Sequence, residues 1–140
     1  MVSKVLVPVD GSAAALRALE YAGVRKRTAG GTVSIVVLNV QAPLPPSRYV
    51  TRSMIRDQNS RLAFAALRSA RSASRKSKLD ARFYVRHGDP ASMITRFARS
   101  MNCSEIAMGT RGRGRTGIFV LGSVALRVVQ LSRVAVTLVK

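Results

Sequence analysis

The chain has 140 residues, of which 24 are Lys or Arg and only 6 are Asp or Glu, so its formal net charge is +18. Its length fits a single domain, residues 1–140, and its 47% hydrophobic content excludes a disordered basic tail. A single cysteine, Cys103, excludes an internal disulfide, and a single histidine, His87, excludes zinc sites built on histidine pairs.

The N-terminal residues lack the apolar core of a secretory signal, and the chain has no run of 18 apolar residues. We therefore expect a cytoplasmic protein without a membrane span. The positive charge predicts attraction to anions such as phosphates, nucleic acid, acidic proteins or anionic lipid, and by itself it does not distinguish among them.

Short runs of β-branched residues alternate with longer segments of helix-forming residues. Strands are predicted at residues 5–9, 32–40, 79–85, 105–108 and 134–139. Helices are predicted at residues 13–27, 47–77, 91–101 and 123–131. In the second helix, Ile55, Leu62, Phe64, Ala66 and Ala70 are expected to face the core. This alternation predicts one doubly wound α/β domain, with a parallel sheet covered by helices on both faces.

Two segments follow predicted strands at the edge where such sheets bind ligands. Asp10 closes the first strand, and the loop after the fourth strand, residues 109–117, contains four glycines and three arginines. Gly122 and Ser123 then open the last helix. Glycine lets backbone N–H groups approach an anion, arginine adds positive charge, and a helix N-terminus favours phosphate. The pattern predicts a phosphate site and does not indicate which base would accompany it.

Two common nucleotide motifs match this loop incompletely. Gly112-x-Gly114-x-x-Gly117 fits the dinucleotide fingerprint, but no acidic residue follows Glu105 to bind a ribose. Residues 109–116 approach a Walker A loop, but Arg115 stands where that loop has lysine, and no Walker-B acid follows. Both motifs are therefore rejected.

A third spacing, Gly109-x2-Gly112-x9-Gly122-Ser123, combines with the opening strand and turn at residues 5–12. Together they resemble the ATP-binding branch of the universal stress protein family. Residues 18–22, 88–91, 108–112 and 121–125 extend the resemblance over nearly the whole chain. The combined pattern is specific, although each piece alone is weak.

The resemblance implies a five-stranded parallel sheet of order 3-2-1-4-5 and a homodimer formed through the last strand, from Val134 to Val139. It also implies a bound ATP, accompanied by Mg²⁺ or Mn²⁺. Asp10 with Pro8 and Val9 would line the adenosine pocket, and the backbone of Val40 would contact adenine. Around the ribose and phosphates, the implied binding positions are Met108, Gly109, Arg111, Gly112, Gly122, Ser123 and Val124. No catalytic residue is assigned, and we expect at most slow ATP hydrolysis.

Alternatives remain for single residues and for the whole protein. Asp10 and Ser123 could instead be helix N-caps. The Arg61/Arg68/Arg75 repeat on the second helix is most simply a solvated face. The alternative function is a basic protein whose surface binds nucleic acid or an acidic partner, with nucleotide binding secondary or absent.

Overall fold

A computed structural model describes residues 2–43, 47–110 and 121–140. Strands and helices alternate along the chain from β1 to β5. The strands are β1 (Ser3–Pro8), β2 (Val33–Gln41), β3 (Ala81–His87), β4 (Glu105–Gly109) and β5 (Ala135–Val139). The helices are α1 (Ala13–Thr28), α2 (Arg52–Lys76), α3 (Pro90–Ser100) and α4 (Ser123–Leu131).

All five strands are parallel, in the order β3-β2-β1-β4-β5. The fold class and the helical layers predicted from the sequence are therefore confirmed, as is the strand order that the family resemblance implied. Strand order reverses at β1, which pairs with β2 on one side and β4 on the other. This arrangement leaves a crevice beyond the carboxyl ends of β1 and β4, where open α/β sheets bind ligands.

The central strands are buried on both faces, because their side chains alternate between the two sides and helices cover each side. Val5 and Val7 of β1 pack with Leu19 and Ala22 of α1 and with Leu67 of α2. On the other face, β1 residue Leu6 joins a cluster that includes α3 and α4 residues. Cys103, predicted to be a packing residue, is buried in this second cluster.

Helix α2 differs from its prediction at its start and in its orientation. It begins at Arg52 rather than residue 47, because Thr51 caps it by accepting a hydrogen bond from the Met54 N–H at 3.2 Å. Ala66 and Ala70 are buried as predicted, but Leu62 is 49% exposed and Phe64 is 70% exposed. The core prediction for Leu62 and Phe64 was therefore wrong, since the small residues face the sheet instead.

A buried acid ties the amino end of β4 to two neighbouring elements. Glu105 accepts hydrogen bonds from the Tyr21 hydroxyl at 2.9 Å and the Thr137 hydroxyl at 2.6 Å, and it pairs with Arg25. These partners lie on α1 and β5, so the network links both to β4. A carboxylate can remain buried here because its oxygens have donors on several sides.

Candidate functional site

A cavity of about 510 Å³ lies beyond the carboxyl ends of β1 and β4. This volume is in the range of small-molecule sites, about 300–1,000 Å³. The structure brings eight of the sequence-predicted site residues together around it. They are Pro8, Val9, Asp10, Val40, Met108, Gly109, Gly122 and Val124.

The other three predicted site residues are Arg111, Gly112 and Ser123. Ser123 is exposed at the first position of α4 and does not line the cavity. Arg111 and Gly112 lie outside the described residues. The described wall is lined mostly by small or apolar residues, with Asp10 and Arg17 as its charged members.

The turn after β1 is organised by hydrogen bonds within the turn itself. An Asp10 carboxylate oxygen accepts the Ser12 N–H at 2.9 Å, and the Ser12 hydroxyl accepts the Ala15 N–H at 3.2 Å. Gly11 adopts a φ of +89°, which a residue with a Cβ rarely adopts. Ser12 is thus the N-cap of α1, and the interpretation of Asp10 as that cap was wrong. The Asp10 side chain remains exposed at the cavity.

Gly109 is required by a close approach to α1. A Cβ built on Gly109 would lie 2.4 Å from both the carbonyl carbon and the oxygen of Ala14. Such contacts with backbone atoms cannot be relieved by rotating a side chain. The glycine therefore lets the start of α1 pack against the end of β4, and both elements line the cavity.

Sequence reasoning missed Thr110, the residue immediately after β4. It is 1% exposed and lines the cavity, and its hydroxyl has no hydrogen-bond partner among the described residues. Its N–H donates to the Val139 carbonyl at 3.1 Å, which fixes its position next to β5. A buried hydroxyl without a partner is costly, so a partner from outside the described residues is expected there.

A buried amide pair, also missed, supports the cavity from β2. The Asn39 side chain donates to the Val9 carbonyl at 2.8 Å and accepts a hydrogen bond from the Gln41 side chain at 2.7 Å. The contact fixes the β1 end, where the cavity-lining backbone turns toward α1. The only sequence signal that could have indicated this amide pair is the polar residue Asn39 within a mostly apolar strand.

Helix α4 begins at the cavity without a side-chain cap. Gly122 is its N-cap residue, and no side chain accepts a hydrogen bond there. The interpretation of Ser123 as the N-cap was therefore wrong. The first turn of α4 also contains no acidic residue. Its N–H groups and the positive end of its dipole therefore favour an anion at this wall of the cavity.

Helix α3 begins at the same cavity with a different cap. Asp89 is its N-cap and accepts the Ser92 N–H at 3.1 Å, and Pro90 lines the cavity. The hydrogen bonds from Ser92 hold the pKa of Asp89 below its ordinary value, and the positive charge of Arg127 acts in the same direction. This helix terminus already has an acceptor, so α4 is the better anion site.

No group of three or more His, Cys, Asp or Glu residues that could hold a metal occurs in the part of the chain that the structure describes. Asp10 is the one carboxylate among the described cavity-lining residues. Mg²⁺ is commonly held by one or two carboxylates together with substrate phosphates. The described residues therefore fit an ion that a phosphate ligand brings with it, rather than a metal site formed by protein side chains alone.

A parallel sheet of this order defines a doubly wound α/β protein, and its cavity lies at the switch point where proteins of this class bind ligands. A family model described as the universal stress protein family matches residues 1–140. The chain therefore belongs to the universal stress protein family.

Two further comparisons agree with this assignment. The chain is 28% identical over 148 residues to Universal stress protein YxiE of Bacillus subtilis (strain 168), with full coverage of both proteins. It is 26% identical to a universal stress protein of Archaeoglobus fulgidus, with coverage of 100% and 99% and a TM-score of 0.76. A structure of the Archaeoglobus protein in complex with dAMP is similar with a TM-score of 0.72, 26% identity, and coverage of 100% and 98%.

The described helices include none that is both long and apolar enough to cross a membrane. This agrees with the sequence prediction of no membrane span. The cytoplasmic location stays a prediction.

Proposed function

We propose that this chain binds ATP in the cavity beyond β1 and β4 and uses it in a regulatory role during stress. The observation that carries the proposal is the N-terminus of α4 at this cavity, which has neither a side-chain cap nor an acidic residue in its first turn. A phosphate accepts hydrogen bonds from backbone N–H groups at such a terminus.

In this proposal the phosphates lie at the α4 N-terminus, near Gly122 and Val124. The adenosine lies against Pro8, Val9 and the backbone of Val40, where the wall is apolar enough to cover a base. Asp10 is exposed at the same wall and is positioned to accept hydrogen bonds from a ribose. The dAMP complex of the Archaeoglobus relative supports an adenine nucleotide as the ligand class.

A divalent ion would supply charge neutralisation between phosphate oxygens when bound. In the proposal, the nucleotide phosphates hold Mg²⁺ or Mn²⁺, while Asp10 faces the ribose. Arg111, Gly112 and the Ser123 hydroxyl, which the family resemblance implies as further phosphate contacts, remain part of the proposal. Any hydrolysis is expected to be slow and incidental. Released ADP should therefore accumulate far more slowly than bound ATP exchanges with ATP in solution.

The test is calorimetric titration with ATP, with GTP as the comparison, on Ser123→Glu and on Ser53→Glu. Both changes put a carboxylate in the exposed first turn of a helix, where it favours the dipole, but only Ser123 adjoins the cavity. We expect Ser123→Glu to weaken ATP binding about ten-fold or more through charge repulsion. Ser53→Glu should bind ATP as the wild type does.

The proposal fails if wild-type protein does not bind ATP at millimolar concentration and releases no nucleotide on denaturation. It also fails if Ser123→Glu and Ser53→Glu bind ATP equally well. Gly122→Glu is a second variant, because a large acidic side chain at the cavity wall should exclude phosphate by both volume and charge.

We further propose that the protein is a homodimer joined through β5. Among the described strands, β5 lies at a sheet edge and pairs only with β4. The neighbouring α4 exposes three apolar side chains, since Leu126, Val129 and Leu131 are each 44–47% exposed. An apolar edge of this kind is usually covered in solution.

Sedimentation analysis tests the dimer. Val129→Lys should lower the mass to that of a monomer, because it places a charge among the exposed apolar side chains of α4. Val24→Lys makes the same change at an equally exposed position on α1 and should leave the mass unchanged. A wild-type monomer at high concentration would contradict the proposal.

A further inference from the structure

The outward face of α2 carries a continuous stripe of basic residues with an aromatic ring among them. We define the α2 stripe as Arg61, Phe64, Arg68, Arg71 and Arg75, whose spacing alternates between three and four residues. This spacing places all five on one side of a helix. All five are exposed.

The charges of this helix are almost all positive and are not neutralised. Helix α2 has seven basic residues and one acidic residue, Asp57. No arginine of the α2 stripe forms an ion pair with any residue that the structure describes. Arg71 instead stacks over the Phe83 ring of β3, with 4.6 Å from the guanidinium carbon to the ring centroid. The stripe therefore offers several unpaired cations to an anionic partner.

Phe64 sits in the middle of these cations and is 70% exposed. It contributes little to the core, because the helix turns Ala63, Ala66 and Leu67 toward the sheet instead. Phe64 also borders a groove of about 660 Å³ between α1 and α2, whose rim includes Arg68 and Lys76. The groove's other lining residues are Leu16, Ala65, Ser69, Ser72 and Ala73. An exposed ring beside a cation-rimmed groove can stack with a planar ligand while the cations hold a charged backbone.

We propose that the α2 stripe is a binding surface for single-stranded nucleic acid. Stacking on an aromatic ring combined with a basic track is how proteins bind single strands without reading sequence. From Arg61 to Arg75 the stripe spans about 21 Å at the helical rise per residue, which is long enough for several nucleotides. An acidic protein would satisfy the arginines but would leave the exposed ring without a specific partner. The bases of a duplex are stacked on each other and do not reach Phe64.

Fluorescence anisotropy with a labelled oligothymidylate of about 20 nucleotides tests the proposal at low salt. Binding should weaken steeply between about 50 and 200 mM salt, because phosphate contacts release counterions. Arg68→Glu with Arg75→Glu should weaken it about ten-fold or more. The matched control is Arg96→Glu with Arg99→Glu, which makes the same charge change on exposed positions of α3.

Phe64→Ala separates stacking from charge, because it changes no charge and removes an exposed side chain. It should weaken oligothymidylate binding about five-fold or more. The same variant should bind a duplex of equal length as the wild type does. Phe64→Tyr keeps an aromatic ring and should restore binding to the single strand.

The proposal is overturned if the wild type does not bind the single strand at low salt, or if the two charge-reversed pairs lose affinity equally. It is also overturned if Phe64→Ala binds the single strand as tightly as the wild type. Tighter binding of polyglutamate than of oligothymidylate would assign the surface to an acidic protein instead. A loss of oligothymidylate affinity in Ser123→Glu as large as that in Arg68→Glu with Arg75→Glu would place the oligonucleotide in the β1–β4 cavity and equally contradict the proposal.

Discussion

The β1–β4 cavity and the α2 stripe offer different groups to an anion. The described cavity wall is lined mostly by small or apolar residues, with the start of α4 and the charged residues Asp10 and Arg17 among them. The α2 stripe is an exposed helix face with four arginines around one ring. The contrast teaches that the charge of +18 is a poor guide to the nucleotide site, because much of the charge lies on α2.

The largest effect should come from adding one methyl group to the cavity wall. Gly109→Ala would place a Cβ 2.4 Å from the Ala14 backbone, so we expect a loss of about 3 kcal/mol or more in the free energy of unfolding. Urea denaturation measures it. Gly30→Ala is the control, because no atom lies near a Cβ built at that position. This substitution should lower the free energy of unfolding by about 1–2 kcal/mol through the φ of +62° alone. Equal losses in both variants would show that packing at the β4 end is looser than described.

A buried charge and a surface charge should differ in their effect on stability. Glu105→Ala removes the acceptor of the Tyr21 and Thr137 hydroxyls and the partner of Arg25. Because Arg25 is partly exposed and can be hydrated, we expect a loss of about 1–3 kcal/mol. Arg68→Ala, on the α2 stripe, should stay within about 0.5 kcal/mol of the wild type. A comparable loss for Arg68→Ala would mean that the stripe is structural.

The two binding surfaces should be separable by mutation at one fixed salt concentration. Ser123→Glu should weaken ATP binding about ten-fold and leave oligothymidylate binding within about two-fold. The Arg68→Glu, Arg75→Glu pair should weaken oligothymidylate binding about ten-fold and leave ATP binding within about two-fold. Titrating each ligand into both variants checks the prediction. If either variant loses both ligands in parallel, the two regions form one site and the comparison fails.

The smallest effect concerns the cap of α3 at the edge of the cavity. Hydrogen bonds from Ser92 lower the pKa of Asp89 in the folded state, so its contribution is complete above the ordinary aspartate pKa of about 3.9. The contribution is lost as the pH falls through the lowered folded pKa. Asp89→Ala should therefore reduce the urea midpoint slightly at pH 7, and the difference from the wild type should shrink below about pH 4. A difference that is constant with pH would contradict this account.

Much of the fold could be predicted because its signals are local. The alternation of β-branched runs such as residues 32–40 with helix-forming runs such as 13–27 is enough to predict a parallel α/β sheet. The orientation of α2 was harder, since its buried positions are mostly alanine, whose small side chain is a weak signal. Leu62 and Phe64 were assigned to the core by hydrophobicity, although the helix presents both to solvent.

The sequence by itself determined the family, the order of elements and eight of the residues that meet beyond β1 and β4, because glycine spacing and the ends of strands can be read from the chain. Only the tertiary structure decided that Gly109 must admit the Ala14 backbone, that Thr110 joins the cavity wall, and that α4 begins without a side-chain cap. It also decided that Phe64 lies exposed among arginines. These features depend on how distant elements approach one another, which local preference cannot specify.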